Sequence, residues 1–149
     1  MKKSYAVSVF CKIACERGHN WVPPKKYLIT TKAYLTGEIV GYSMDSRMIK
    51  SLVSRSLFKV ISNKRPGSCF IYHSDRGSQY CSLQYRKVLD QFGMKSSMSR
   101  KGNCFYNAPM ESFRGTLKQE IVHHRRYATR TQAIDDITEY IEVFYNRQR

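Results

Sequence analysis

The sequence predicts an α/β layer fold, with helices on both faces of a sheet. Three observations carry that expectation. Short runs rich in β-branched and aromatic residues, EIVGYSM (38–44) and CFIY (69–72), alternate with longer stretches whose apolar residues recur every three or four positions. Glycine and proline punctuate the joins, as at Thr36-Gly37 and Arg65-Pro66-Gly67. At 149 residues the chain makes about one domain, with no internal repeat and no low-complexity tract.

The first 35 residues are the least regular. Tyr5–Phe10 (YAVSVF) has strand composition, Lys12, Glu16 and Arg17 interrupt it, and Pro23-Pro24 forbid regular structure. A strand follows over 38–44. Ser46 is the expected N-cap of a helix on which Met48, Leu52, Val53, Leu57, Phe58 and Ile61 share a face. Cys69–Tyr72 is wholly apolar, as a buried strand should be. Ser82–Phe92 repeats the helical spacing and Gly93 closes it; Met94–Met98 suits a short strand, and 99–107 a polar loop. Helices are expected from Ala108 to about Arg126 and from Thr129 or Thr131 to about Arg147. The predicted order is strand, helix, strand, helix, strand, helix, helix, preceded by a degenerate first-strand region.

Charge narrows the function. Twenty-six Lys and Arg against eleven Asp and Glu give +15, and the pI is about 9.8. Such a surface is the footprint of a phosphate-backbone binder. Mean hydropathy is −0.52, and no apolar run approaches the roughly 20 residues of a membrane span. No secretory cleavage pattern follows the N-terminus, so the chain reads as cytosolic with reduced thiols at Cys11, Cys15, Cys69, Cys81 and Cys104. Cys11, Cys15 and His19 have helical spacing, but a structural zinc site wants a fourth ligand and none stands out. The run His123-His124-Arg125-Arg126 reads as a solvated basic face.

Two acidic residues are the candidate reactive groups. Asp75 follows the apolar strand directly, at the strand end where α/β proteins collect ligands. Glu111 lies in the first turns of the helix after the polar loop, and 35 residues separate the two. Carboxylates brought together in a basic protein suit hard divalent cations and phosphoryl transfer. Equally, Asp75 alone can cap a turn and Glu111 alone can complement a helix N-terminus.

The words around these residues are more specific. HSDRGSQY, SMSRKGN, NAPMESF and a basic residue seven beyond the glutamate occur together, with TGEIVGYSMDSRMIKSLV upstream. From about Thr36 to Arg149 the chain resembles the integrase core of bacterial insertion-sequence transposases of the OrfB type, relatives of retroviral integrases in the ribonuclease-H-like superfamily. The resemblance implies a ribonuclease-H-like mixed sheet flanked by helices. It also implies an Asp-Asp-Glu trio that binds two Mg2+ or Mn2+ ions, cuts DNA with water and then lets a 3′-hydroxyl attack a second phosphodiester. By position Asp75 and Glu111 carry over as catalytic and metal-binding residues. Lys118 matches the family's basic residue two helical turns after the glutamate and is expected on a DNA phosphate, and Arg76, Arg100, Lys101, Asn107 and Arg114 are the further residues expected on DNA. The implied partners are transposon-end and target DNA, a separate helix-turn-helix protein and further copies of the chain. The implied location is the bacterial cytoplasm, on the nucleoid when DNA is bound.

The departures from that pattern are as informative. The family's first aspartate counts back to near Cys15, where Glu16 is the nearest carboxylate. A second family aspartate corresponds to Ala33, the family's Asp-Asn-Ala reads Tyr106-Asn107-Ala108, and Arg114 replaces a tryptophan. The expected division is therefore a divergent segment 1–35 joined to a partial catalytic core 36–149. The expected function is DNA strand cleavage and transfer impaired by an incomplete acidic trio. The alternatives are a non-catalytic DNA-binding remnant and a poorly folding one.

Overall fold

The computed structural model describes residues 5–13, 26–47, 49–66, 70–99 and 108–148, with backbone alone for 5–13, Lys26 and Gln148. Five strands form one mixed sheet in the order β3-β2-β1-β4-β5. They are β1 (Tyr5–Ile13), β2 (Lys26–Ala33), β3 (Ile39–Asp45), β4 (Ile71–Ser74) and β5 (Lys95–Met98). The first three form an antiparallel meander, whereas β4 runs parallel to β1 and β5 parallel to β4.

Two strands lie where the sequence looked least regular. The break placed after Phe10 is not observed: β1 runs to Ile13 at the centre of the sheet. KYLITTKA, assigned no structure from sequence, forms β2 and pairs with β1 from Lys26 opposite Ile13 to Ala33 opposite Ala6. The reason it was missed is physical. Leu28, Ile29, Thr30 and Thr31 are all buried, so a strand covered on both faces shows no polar alternation.

The first helix, α1 (Lys50–Lys64), starts later than expected, with Ile49 rather than Ser46 at its N-cap. The Asp45 carboxylate accepts from Ser46 Oγ and Arg47 N and pairs with Arg55, which holds 45–47 outside the helix. Arg65, in the left-handed region at φ 42°, ends it before Pro66. For α2 (Leu83–Gln91) the Ser82 side chain accepts from Tyr85 N as predicted. The helix beginning α3 (Ala108–Leu117) widens into a π-helical segment over Lys118–Val122, four residues short of Arg126. Thr129 and Gln132 make a reciprocal cap on α4 (Arg130–Glu139), which continues as a π-helical segment (Tyr140–Tyr145) and α5 (Asn146–Gln148).

Both sheet faces are covered. On one, Leu52, Val53, Leu57 and Val60 of α1 and Tyr85 and Leu89 of α2 bury Ile29, Val40 and Tyr72. Phe58, expected in that stripe, points to solvent at 48% exposure. On the other, Met110, Phe113 and Leu117 of α3 join Ile137, Tyr140, Ile141 and Tyr145 over Leu28, Ile39 and Tyr42. Each such side chain contributes about 1.5–3 kcal/mol when fully buried. The free edge of β3 is closed by side chains: Asn146 exchanges both hydrogen bonds with the Ile39 main chain (2.8 and 3.0 Å), and Asn63 donates to Val40 O (3.2 Å). An edge so occupied is a poor template for another strand.

Candidate active site

The site is built at the C-terminal end of β4. Tyr72 OH lies 2.8 Å from Thr31 Oγ1 and faces the α1/α2 layer. Strand alternation then turns His73, and by continuation Asp75, toward the α3 side. Asp75 is half-buried, and its Oδ1 accepts from Gly77 N at 2.9 Å. Gly77 keeps the turn close, since a β-carbon there would sit 3.0 Å from Asp75 Oδ1 and 3.2 Å from Gln79 Oε1 and would crowd both side chains. Gly77 O accepts from Tyr80 N and Cys81 N, and buried Tyr80 anchors the turn that leads into α2. Among the described residues Oδ2 of Asp75 accepts no hydrogen bond.

Beside Asp75 lies a polar cluster unnoticed in the sequence. His73 Nδ1 is 3.1 Å from Ser97 Oγ and Nε2 is 2.8 Å from Ser99 Oγ. Burial disfavours the imidazolium and pushes the His73 pKa below its ordinary value. Arg76 Nε donates to Ser99 O (3.0 Å), so part of a guanidinium expected on DNA ties down the chain leaving β5. The alternation SMS at 97–99 was the available signal, placing Ser97 and Ser99 on one face.

The pairing register relates Asp75 to Glu111. His73 pairs with Val7, and Val7 with Lys32 of β2. Lys32 Nζ donates to Pro109 O at 3.3 Å, in the first turn of α3 and two residues before Glu111. Three adjacent strands span about 10 Å, so the β2 residue that anchors α3's start is level with His73 on the same sheet face, whereas Asp75 stands two residues, about 7 Å, further along, level with Val9 and Thr30. On α3, Met110, Phe113 and Leu117 face the core. Glu111 and Lys118, seven residues apart, project within about 20° of each other beside that stripe, with Arg114 between. Glu111 and Arg114 are exposed and Lys118 is half-buried.

Other predicted residues fall elsewhere. Arg100, Lys101 and Asn107, with Glu16, Cys15, His19 and Tyr106, lie outside the described residues. The register sets Ser8 beside Ser74, so one step on Val9 is level with Asp75, whereas Cys15 lies beyond the end of β1. Counting along the chain and counting along the sheet thus disagree. Ala33 packs on the α1/α2 face and pairs with Ala6, so an alanine there removes no ligand from the Asp75 side. Cys11 is on a strand, which ends its helical alignment with Cys15 and His19. Among the described residues no three His, Cys, Asp or Glu cluster in a metal-holding arrangement. His123 and His124 are exposed, as expected, and Arg125 pairs with Asp136 at 2.6 Å.

A profile of the integrase core domain matches residues 8–104, and a second integrase core profile matches 111–149. The chain belongs to the integrase core domain family. That match begins at residue 8, inside the segment set apart as 1–35. Proteins of insertion sequences are similar along most of the chain. A 31 kDa protein of insertion element IS600 from Shigella sonnei is 51% identical over 138 residues, covering 87% of this chain and 51% of that protein. The transposase of insertion sequence IS904 from Lactococcus lactis is 42% identical over 132 residues, covering 87% and 52%. The chain therefore spans about half the length of the curated relatives it matches. In fold it resembles a chain of a simian T-cell lymphotropic virus intasome in complex with PP2A regulatory subunit B56 gamma, with TM-score 0.74, 14% identity and coverage of 95% and 49%. It likewise resembles the HTLV-2 integrase catalytic core in complex with magnesium, with TM-score 0.68, 11% identity and coverage of 93% and 84%. These two likenesses concern the ribonuclease-H-like fold alone.

Proposed function

We propose that this integrase core acts in DNA transposition, holding a divalent ion between Asp75 and Glu111 and DNA phosphates on the basic residues beside them, with strand cleavage and transfer impaired. The observation that carries the reading is the register chain that runs from His73, two residues before Asp75, through Val7 and Lys32 to the first turn of α3 over the same sheet face. It supports convergence of the two carboxylates from opposite ends of a 35-residue interval.

The donor chemistry fits one ion. Both groups are hard carboxylates, and Asp75 keeps Oδ2 free of hydrogen bonds from the described residues. One or two carboxylates with phosphate oxygens and water suffice for Mg2+ or Mn2+. A bound ion would supply positive charge to the attacked phosphate and acidify water. A second ion a few ångströms away needs further carboxylates, and Val9 at the level of Asp75 has none to offer. Asp75, held by Gly77 N–H, and Glu111, exposed on α3, orient the site; Lys118 and Arg114 meet the phosphate backbone along the same face. Arg76 keeps its terminal nitrogens for the same purpose. A helix-turn-helix partner, further copies of the chain and a cytoplasmic, nucleoid-bound location belong to this reading; among the described residues no helix is long and apolar enough to cross a membrane.

Valine in place of a carboxylate at the level of Asp75 favours a second reading, a core that binds DNA without cutting it. Strand-transfer assays on pre-nicked transposon-end DNA in Mg2+ and Mn2+, with Mn2+ titrations of the same protein, separate the two. Mn2+ binding lost in Asp75→Asn and Glu111→Gln, with little transfer by the wild type, is the expected pattern. Robust wild-type transfer abolished by both Asp75→Asn and Glu16→Gln would overturn the impaired reading, and Mn2+ binding indifferent to Asp75 and Glu111 would remove the metal site.

A further inference from the structure

We propose that Lys32 is a positioning residue that seats the first turn of α3 and so decides where the Glu111 carboxylate stands. The inference rests on the reading of Glu111 as a metal-binding group. Lys32 is half-buried on β2 and sends its ammonium out of the sheet into the α3 layer. Nζ donates to Pro109 O at 3.3 Å and to Tyr145 OH at 3.0 Å, and lies 5.6 Å from the Tyr145 ring centroid. Tyr145 in turn packs edge-on against Phe113, with centroids 4.7 Å apart. One side chain thus ties the strand beside β1 to both helical segments of that layer.

The choice of partners points to placement rather than helix stability. Pro109 has no N–H, so its carbonyl is the main-chain handle it offers. An ammonium near a helix N-terminus gains nothing from the helix dipole, and both acceptors are neutral. What the contact does is hold Pro109, and Glu111 follows within the same turn. Lys32 is also level with His73 through Val7, so the anchor lies two residues along the sheet from the level of Asp75.

The sign of the metal effect separates positioning from electrostatics. Removing a cation near a cation site strengthens metal binding by Coulomb's law, whereas releasing the turn that carries Glu111 weakens it. Outer partners of metal ligands typically matter by 10–100-fold in affinity. The test uses the full chain with Lys32→Met, Lys32→Arg and Tyr145→Phe, reading Mn2+ affinity by electron paramagnetic resonance and amide exchange residue by residue by NMR. In Lys32→Met, Mn2+ should bind about 10-fold more weakly. Exchange at residues 110–113 should quicken while that of β2 and β3 is retained. Lys32→Arg should recover most of both, and Lys32→Met combined with Glu111→Gln should bind no more weakly than Glu111→Gln alone. Unchanged exchange at 110–113, or Mn2+ affinity unchanged or tighter, overturns the proposal. If wild-type Mn2+ binding ignores Glu111→Gln, the metal reading fails and the exchange arm alone decides the role of Lys32. Should Lys32→Met not fold, Tyr145→Phe, which keeps the charge and removes one acceptor, decides it by the same exchange readout.

Discussion

Gly41→Ala should destabilise the protein strongly although it adds one carbon. Gly41 lies in β3 under α1, where a β-carbon would stand 2.4 Å from Val60 Cγ2 and 2.6 Å from Ser56 O. Two carbons rest at about 3.5–4.0 Å, so the overlap exceeds about 1 Å. Val60 cannot turn away, because a β-branched side chain in a helix has one favoured χ1 rotamer. Ser56 O is helix backbone and moves only with the helix. Relief therefore requires α1 to lift from the sheet, loosening Leu52, Val53, Leu57 and Val60, all at most 2% exposed. Overpacking of this kind costs about 1–3 kcal/mol, and the lost freedom of the unfolded chain offsets about 0.4–1 kcal/mol of it. The net loss, about 1.3 kcal/mol at the middle of these ranges, lowers Tm by roughly 3–5 °C for a chain of this size. Thermal and urea denaturation followed by circular dichroism measure it. Gly115→Ala is the control of opposite sign: that helical position has nothing within 4 Å of its β-carbon, and alanine there should stabilise by up to about 1 kcal/mol. A Gly41→Ala protein melting at or above the wild type would refute the close approach of α1 to β3.

Four further outcomes are expected. DNA affinity measured by fluorescence anisotropy should fall steeply between about 50 and 200 mM salt, and Arg114→Ala or Lys118→Ala should each reduce the log–log slope by about 1; a flat salt profile removes backbone binding. Strand transfer by the wild type in Mg2+ should be at or near background in a gel assay, since among the described residues Val9, at the level of Asp75, supplies no third carboxylate for two adjacent ions. His73 should make stability pH-dependent: its folded-state pKa lies below the ordinary value near 6.5 because of burial, so its contribution is complete above about 6.5 and is lost as pH falls toward the folded value. Tm should then fall more steeply below about pH 6.5 in the wild type than in His73→Gln, and parallel curves would remove that contribution. Asn146→Ala should cost about 1–2 kcal/mol in urea denaturation by leaving the Ile39 main chain without its two partners; an unchanged midpoint would mean that water replaces them.

Local signals in the sequence determined the helices, their punctuation and the candidate carboxylates. Ser82, Thr129, Pro66 and Gly93 mark ends through their own backbone chemistry, and Asp75 and Glu111 stand out as acids in a chain of +15. Neither β2 nor the full length of β1 could be read that way. Buried on both faces at Leu28–Thr31, β2 loses its polar alternation, and β1 takes one of its partners, β4, from far along the chain, Tyr5 opposite Ile71. Tertiary structure alone decided three things about the site. Register assigned Val9, not the vicinity of Cys15, to the level of Asp75. Alternation sent Ala33 to the opposite face from α3. Packing brought Lys32 against Pro109, an interval of 77 residues that no local pattern encodes. A carboxylate's type is written in the chain, but its neighbours are set by which strands pair and on which face each side chain emerges.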